Sequence, residues 1–110
     1  MPLDIGTIGD DMVAAASAAL GKDWNAARTY AVPEFKRLAA VLTGIAEQTA
    51  TGELTLAEAR ALLQIHQNTT RNVILAVQGL GLLAVENAVN AALGVVRDAI
   101  NTAAGGILVF

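Results

Sequence analysis

The sequence predicts an all-α fold, an antiparallel hairpin of two long helices that assembles into a multi-helix oligomer. Three observations carry this expectation. Apolar residues recur at helical spacing through two long runs, and one clear break separates the runs. No stretch alternates apolar with polar residues as a half-buried strand does. The composition is also too apolar for the surface of a small lone domain. Apolar residues make up 55% and charged residues 15%, against about 45–50% and about 25% in ordinary globular proteins. Mean hydropathy is +0.52. A single small domain normally needs a charged coat, so part of this surface is expected to be covered by other subunits or by lipid.

Residues 1–9 read as an N-terminal arm, and Asp10 and Asp11 suit the first turn of the helix that follows. The first helical segment, 10–50, carries the stripe Val13, Ala16, Leu20, Trp24, Ala27, Ala31, Phe35, Leu38, Leu42, Ile45 and Thr49. Its spacing averages the α-helical repeat of about 3.6 residues. Gly21 can end a helix before Asp23 as a new N-cap, and Pro33 can begin one. The stripe passes both without slipping. The segment is therefore expected either as one helix of roughly 40 residues, kinked near Pro33, or as in-line pieces.

The turn is placed at residues 51–55, where Thr51 and Gly52 interrupt the pattern. Thr55 and Glu58 then form a capping box at the start of the next helix. The second segment, 56–104, runs through Leu56, Ala59, Leu63, His66, Thr70, Ile74, Val77, Gly81, Val85, Ala88, Ala92, Val96 and Ala99. No proline interrupts it. It reads as one helix of about 48 residues, roughly 70 Å long at 1.5 Å per residue. Gly105 and Gly106 close it, and residues 105–110 form an apolar tail ending in Ile107, Leu108, Val109 and Phe110.

With the turn near residues 52 and 53, the two stripes pair Phe35 with Thr70, Ala31 with Ile74, and Ala27 with Val77 or Gln78. Trp24, the only tryptophan, then faces Gly79 and Gly81. Large opposite small is how helices interdigitate. A glycine inside a helix costs about 1 kcal/mol against alanine, so Gly81 is expected to make the hole for the Trp24 indole.

The stretch 73–100 is nearly apolar enough for a membrane span. On a wheel of about 100° per residue, Glu86, Asn87, Asn90, Arg97, Asp98 and Asn101 gather on one arc of about a third of the circumference. The other two thirds are wider than one partner helix covers. A spanning helix would put Glu86 near mid-membrane, where an ionisable group is costly, and no aromatic belt flanks it. A helix covered on two sides by protein fits better. Trp24, Phe35, Gly79, Gly81, Val85, Ala88, Ala92, Val96 and the tail residues Ile107, Leu108, Val109 and Phe110 are the expected packing and interface residues. Glu86, Asn90, Arg97 and Asn101 are expected as a polar seam that fixes register.

No constellation for chemistry emerges, so no enzyme activity, metal or cofactor is expected. His66 is the only histidine, and Glu-x-x-His, the ligand pattern of di-iron bundles, is absent. "GLG" at 79–81 lacks the strand and the Lys of a phosphate loop. There is no cysteine. The net charge is −3 and the seven Lys and Arg are scattered, which argues against a nucleic-acid partner. The N-terminus has no basic and apolar leader pattern, so cytoplasmic synthesis is expected. The function expected is that of a structural, self-associating subunit of a ring, filament, shell or virion component, with itself as partner and other assembly proteins as further candidate partners. A membrane-active, holin-like or pore-forming hairpin is the alternative. A small-ligand-binding helical bundle is the third possibility.

Overall fold

Each arm of the expected hairpin is folded in two. The computed structural model describes residues 4–77 and 79–103, and among them there are four α-helices and no strand. The helices are α1 (Ile5–Leu20), α2 (Trp24–Ala50), α3 (Leu56–Leu75) and α4 (Leu82–Ala103).

Helix α1 starts five residues earlier than the expected arm allows, because Asp4 caps it. The Asp4 carboxylate accepts from the Thr7 amide at 3.1 Å and from the Thr7 hydroxyl at 2.8 Å. This satisfies one of the orphan donors of the first turn. Gly9 sits where α1 crosses α2. A methyl group there would meet Lys36 Cγ at 3.4 Å and Ala39 Cβ at 3.7 Å.

The chain leaves α1 at Gly21, whose φ of +56° is costly for any residue with a side chain. A 3-10 turn, Gly21–Asp23, reverses the direction. Asp23 stands at the N-cap position of α2, but its carboxylate makes no capping hydrogen bond. Pro33 does not end α2 and lies inside it. Proline removes the donor for the carbonyl four residues earlier. Thr29 and Pro33 are both exposed, so water can serve that carbonyl instead.

The turn at 51–55 lies where the sequence places it. Thr55 Oγ1 accepts from the Glu58 amide at 3.1 Å, and the Glu58 carboxylate accepts from the Thr55 amide at 3.0 Å. The Thr70 hydroxyl donates to Glu34 at 2.9 Å. This sets the α2–α3 layers within one residue of the Phe35–Thr70 pairing. Ala27, Ala31, Ile74 and Val77 are buried.

The expected 70 Å helix is broken. Helix α3 stops at Leu75 and α4 begins at Leu82 running the opposite way, with Gly79 between them at φ +92°. The last amides tighten before the turn, Val77 N–H donating to Ile74 O at 3.1 Å. Two glycines within three residues make the break cheap, since each would weaken a continuous helix. The return is strongly favourable. It buries Val85, Ala88, Val89, Ala92, Leu93 and Val96, which a straight helix would leave largely in water. Burying one valine or leucine stabilises by about 1.5–3 kcal/mol.

The result is an up-down-up-down bundle of 42 × 23 × 18 Å. Helix α1 lies between α2 and α4, and its packing on α4 is the most extensive in the molecule. Phe35, Met12, Leu38, Leu42, Ile74, Val85, Val89 and Val96 are fully buried in one core. The wide apolar arc of residues 82–100, read from the sequence as needing a neighbouring chain, is covered largely by α1 of its own chain. The accessible surface of 5844 Å² is close to the ~5,700 Å² of an average folded monomer of 11.3 kDa.

Candidate functional site

Two polar clusters and one apolar end stand out on this scaffold. The first cluster lies between α2 and α3. Glu34 accepts from Arg37 through Nη2 at 2.6 Å and Nε at 3.2 Å, and from the fully buried Thr70 hydroxyl. Only 10% of the Glu34 side chain is exposed. Burial pushes its pKa up, but the hydrogen bonds from Arg37 and Thr70 and the charges of Arg37 and His66 outweigh this. The net pKa lies below the ordinary carboxylate value. Both oxygens of the Glu34 carboxylate accept from within the chain, so the cluster stabilises the α2–α3 seam.

The second cluster joins α3 to α4. Arg71 Nε lies 2.6 Å from Glu86 Oε1, but the N–H is not aligned for a hydrogen bond, so the contact is an ion pair only. Arg71 Nη1 donates to Asn68 at 2.8 Å. The sequence reading grouped Glu86 with Asn90, Arg97 and Asn101. Instead Glu86 is held by Arg71 across the helix pair, while Asn90 and Arg97 are exposed on α4. The Asn101 side chain lies outside the described residues. Arg71 was missed because its partner is on a different helix, and the second turn could not be read from periodicity.

The expected packing residues divide in the same way. Phe35, Val85, Ala88, Ala92 and Val96 are buried inside the chain. Trp24 is half-buried against the core. Gly79 and Gly81 are turn residues and not a socket for Trp24. A Cβ built at Gly81 meets nothing within 4 Å, so Gly81 does not make the expected hole for the Trp24 indole. The tail residues Ile107, Leu108, Val109 and Phe110 fall outside the described residues.

The apolar end is what the fold leaves uncovered. Exposed large apolar side chains among the described residues are Ile5, Tyr30, Leu56, Ile65, Leu82 and Leu83. Helix directions place Leu82 and Leu83, 62% and 74% exposed, at the end where α1 and α3 stop and α2 and α4 begin. Beside that end, Ala26 and Tyr30 of α2 and Val73, Ala76 and Val77 line a cleft of about 440 Å³. Ile5 and Leu56 start α1 and α3 at the opposite end. Only Ile65 lies on the flank midway along its helix.

Among the described residues, no group of His, Cys, Asp or Glu could hold a metal ion, and no helix is long and apolar enough to cross a membrane. The molecule belongs to the class of small antiparallel four-helix bundles, with uncovered apolar side chains gathered toward its ends. Comparison with known families, curated proteins and solved structures gives no match to this chain.

Proposed function

We propose that this chain is a self-associating structural subunit, a helical block that builds a larger homo-oligomeric assembly through the ends of its bundle. The observation that carries the reading is the placement of the exposed apolar side chains. Among the described residues, Leu82 and Leu83 crown one end, Ile5 and Leu56 mark the other, and Tyr30 and Ile65 lie along the sides of α2 and α3. Exposed apolar residues scattered singly need no explanation, whereas a gathered set marks an interaction surface. Low charge supports the same reading, because an interface core is depleted in charged residues. The role is mechanical. It asks for no reacting group, and the two polar clusters serve as seams inside the subunit.

Light scattering on the purified chain tests the reading. The wild-type protein is expected at a multiple of 11.3 kDa, and Leu82→Glu with Leu83→Glu is expected to return it to the monomer with helicity unchanged. A wild-type chain that stays at the monomer mass at micromolar concentration would overturn the proposal.

A further inference from the structure

We infer that α4 exchanges between two copies of this chain, each copy's α4 docking on the α1 of the other after the link between α3 and α4 straightens. The exchange is separate from association through the bundle ends and does not rest on it. Helix α4 packs chiefly on α1, which is remote from it in sequence, and only slightly on α3, the helix it follows. Its polar tie to α3 is the Arg71–Glu86 pair. The contacts of Val85, Ala88, Val89, Ala92, Leu93 and Val96 are remade when α1 belongs to a second copy. The occupant is therefore fixed, because the surface of α1 that takes α4 in one chain takes the same helix from another.

The link allows the straightening. Gly79 holds φ +92°, and a Cβ built at Gly79 or Gly81 meets nothing within 4 Å, so no neighbour presses on the turn there. No proline lies between Leu56 and Ala103 to forbid a continuous helix. The apolar stripe is also in phase for one. Ile74 and Ala92, both fully buried, stand about five turns apart at 3.6 residues per turn. The mean directions of the buried residues on α3 and on α4 differ by about 60° at about 100° per residue, inside the width of one apolar face. In the exchanged dimer two straight helices of about 70 Å lie antiparallel about a two-fold axis perpendicular to both. That symmetry sets the two α1–α2 pairs on one side of the long helices. Each long helix must then bury the same side along both halves, as the phased stripe does.

Leaving α1 exposes the buried side of α4, so folded chains exchange slowly and the dimer forms on refolding at high concentration. Leu82→Glu with Leu83→Glu removes the apolar end, so the test is run in that chain. Refolded concentrated from urea, it is expected to give a dimer of twice 11.3 kDa that survives dilution, and refolded dilute to give the monomer. Adding Gly79→Ala and Gly81→Ala is expected to raise the dimer-to-monomer ratio roughly tenfold, because alanine disfavours the positive φ of the closed turn and favours the straight helix. Leu82→Pro with Leu83→Glu is expected to stay monomeric. The Gly81 carbonyl accepts from the Val85 amide at 3.1 Å, so Leu82 is the first residue of α4, where proline fits, whereas inside a straight helix it does not. Charge identifies the exchanged helix. Arg71→Glu and Glu86→Arg, each added to the chain with Glu at 82 and 83, place like charges between α3 and α4. Refolded together, the two are expected to form the mixed dimer severalfold above random pairing, since both of its α3–α4 contacts then hold opposite charges. The absence of a dimer, random pairing of the charge variants, equal dimer from the Leu82→Pro chain, or no gain from the alanines would each overturn the inference. None of these results bears on association through the ends, which stands or falls on the mass of the wild-type chain.

Discussion

Glu34 shows how a residue can look like a candidate for chemistry and serve structure instead. Its carboxylate is nearly buried, receives Arg37 and Thr70, and sits near His66. Its folded pKa lies below its ordinary value of 4.5. The stabilisation it supplies is therefore present above the unfolded value and is lost as pH falls through the folded value. In urea titrations, the advantage of the wild type over Glu34→Gln is expected to be constant above about pH 5.5 and to shrink below about pH 4.5. An advantage unchanged down to pH 3 would remove Glu34 from the acid response. Glycines make a second residue-level test. Gly44 and Gly94 lie within helices, and an added Cβ meets nothing within 4 Å at either. Alanine at each is expected to stabilise by about 0.5–1 kcal/mol. Gly9 abuts Lys36 and Ala39, so Gly9→Leu is expected to cost about 1–3 kcal/mol by overpacking. Thermal melts of the three variants check the signs.

At the scale of elements, the capping box at Thr55 and the turn at 51–55 were legible because their signals are local. Thr, Gly and Glu at fixed offsets name a helix start whatever surrounds it. The turns at 21–23 and 76–81 were not read as reversals, although Gly21 and Gly79 lie in plain view. The reason is physical. Both halves of each arm bury the same side against one core, so the apolar stripe stays in phase across the fold. Leu20 and Trp24, or Val77 and Val85, keep helical spacing even where the helix has ended. Periodicity thus cannot separate a straight helix from one folded back on itself. The width of the arc on residues 82–100 was the missed clue, since α1 supplies the second partner that the width demands. Asp4 with Thr7 was a further local signal, an N-cap three residues before its amide donor that the apolar stripe beginning at Val13 does not reach. Gly79→Ala is expected to cost about 1–2 kcal/mol through its positive φ, while Gly81→Ala is expected to lie within about 0.5 kcal/mol of neutral. Urea unfolding of both variants decides. Equal costs would place both glycines in one continuous helix.

For the molecule as a whole, the composition that first implied a need for neighbours is largely absorbed by the bundle itself. Small side chains let four helices approach closely, and α1 covers α4. Among the described residues, the exposed large apolar side chains lie mostly toward the ends, where the proposed association would cover them. The polar seams at Glu34 and Arg71 lie within the chain and fix which helices pair. Breaking the Arg71–Glu86 pair with Arg71→Ala is therefore expected to lower stability by about 0–1 kcal/mol, as for a partly exposed pair, and to leave the oligomer mass unchanged. A small-angle X-ray scattering dilution series tests the central claim most directly, that a compact four-helix subunit grows end to end. Extrapolated to zero concentration, the radius of gyration is expected near the 13.7 Å of the folded chain. With rising concentration, the particle is expected to lengthen in steps of about 42 Å while its cross-section stays constant. A limiting value near 20 Å, the radius of gyration of a rod about 70 Å long, would contradict the folded arms, and a particle that does not lengthen would contradict the assembly.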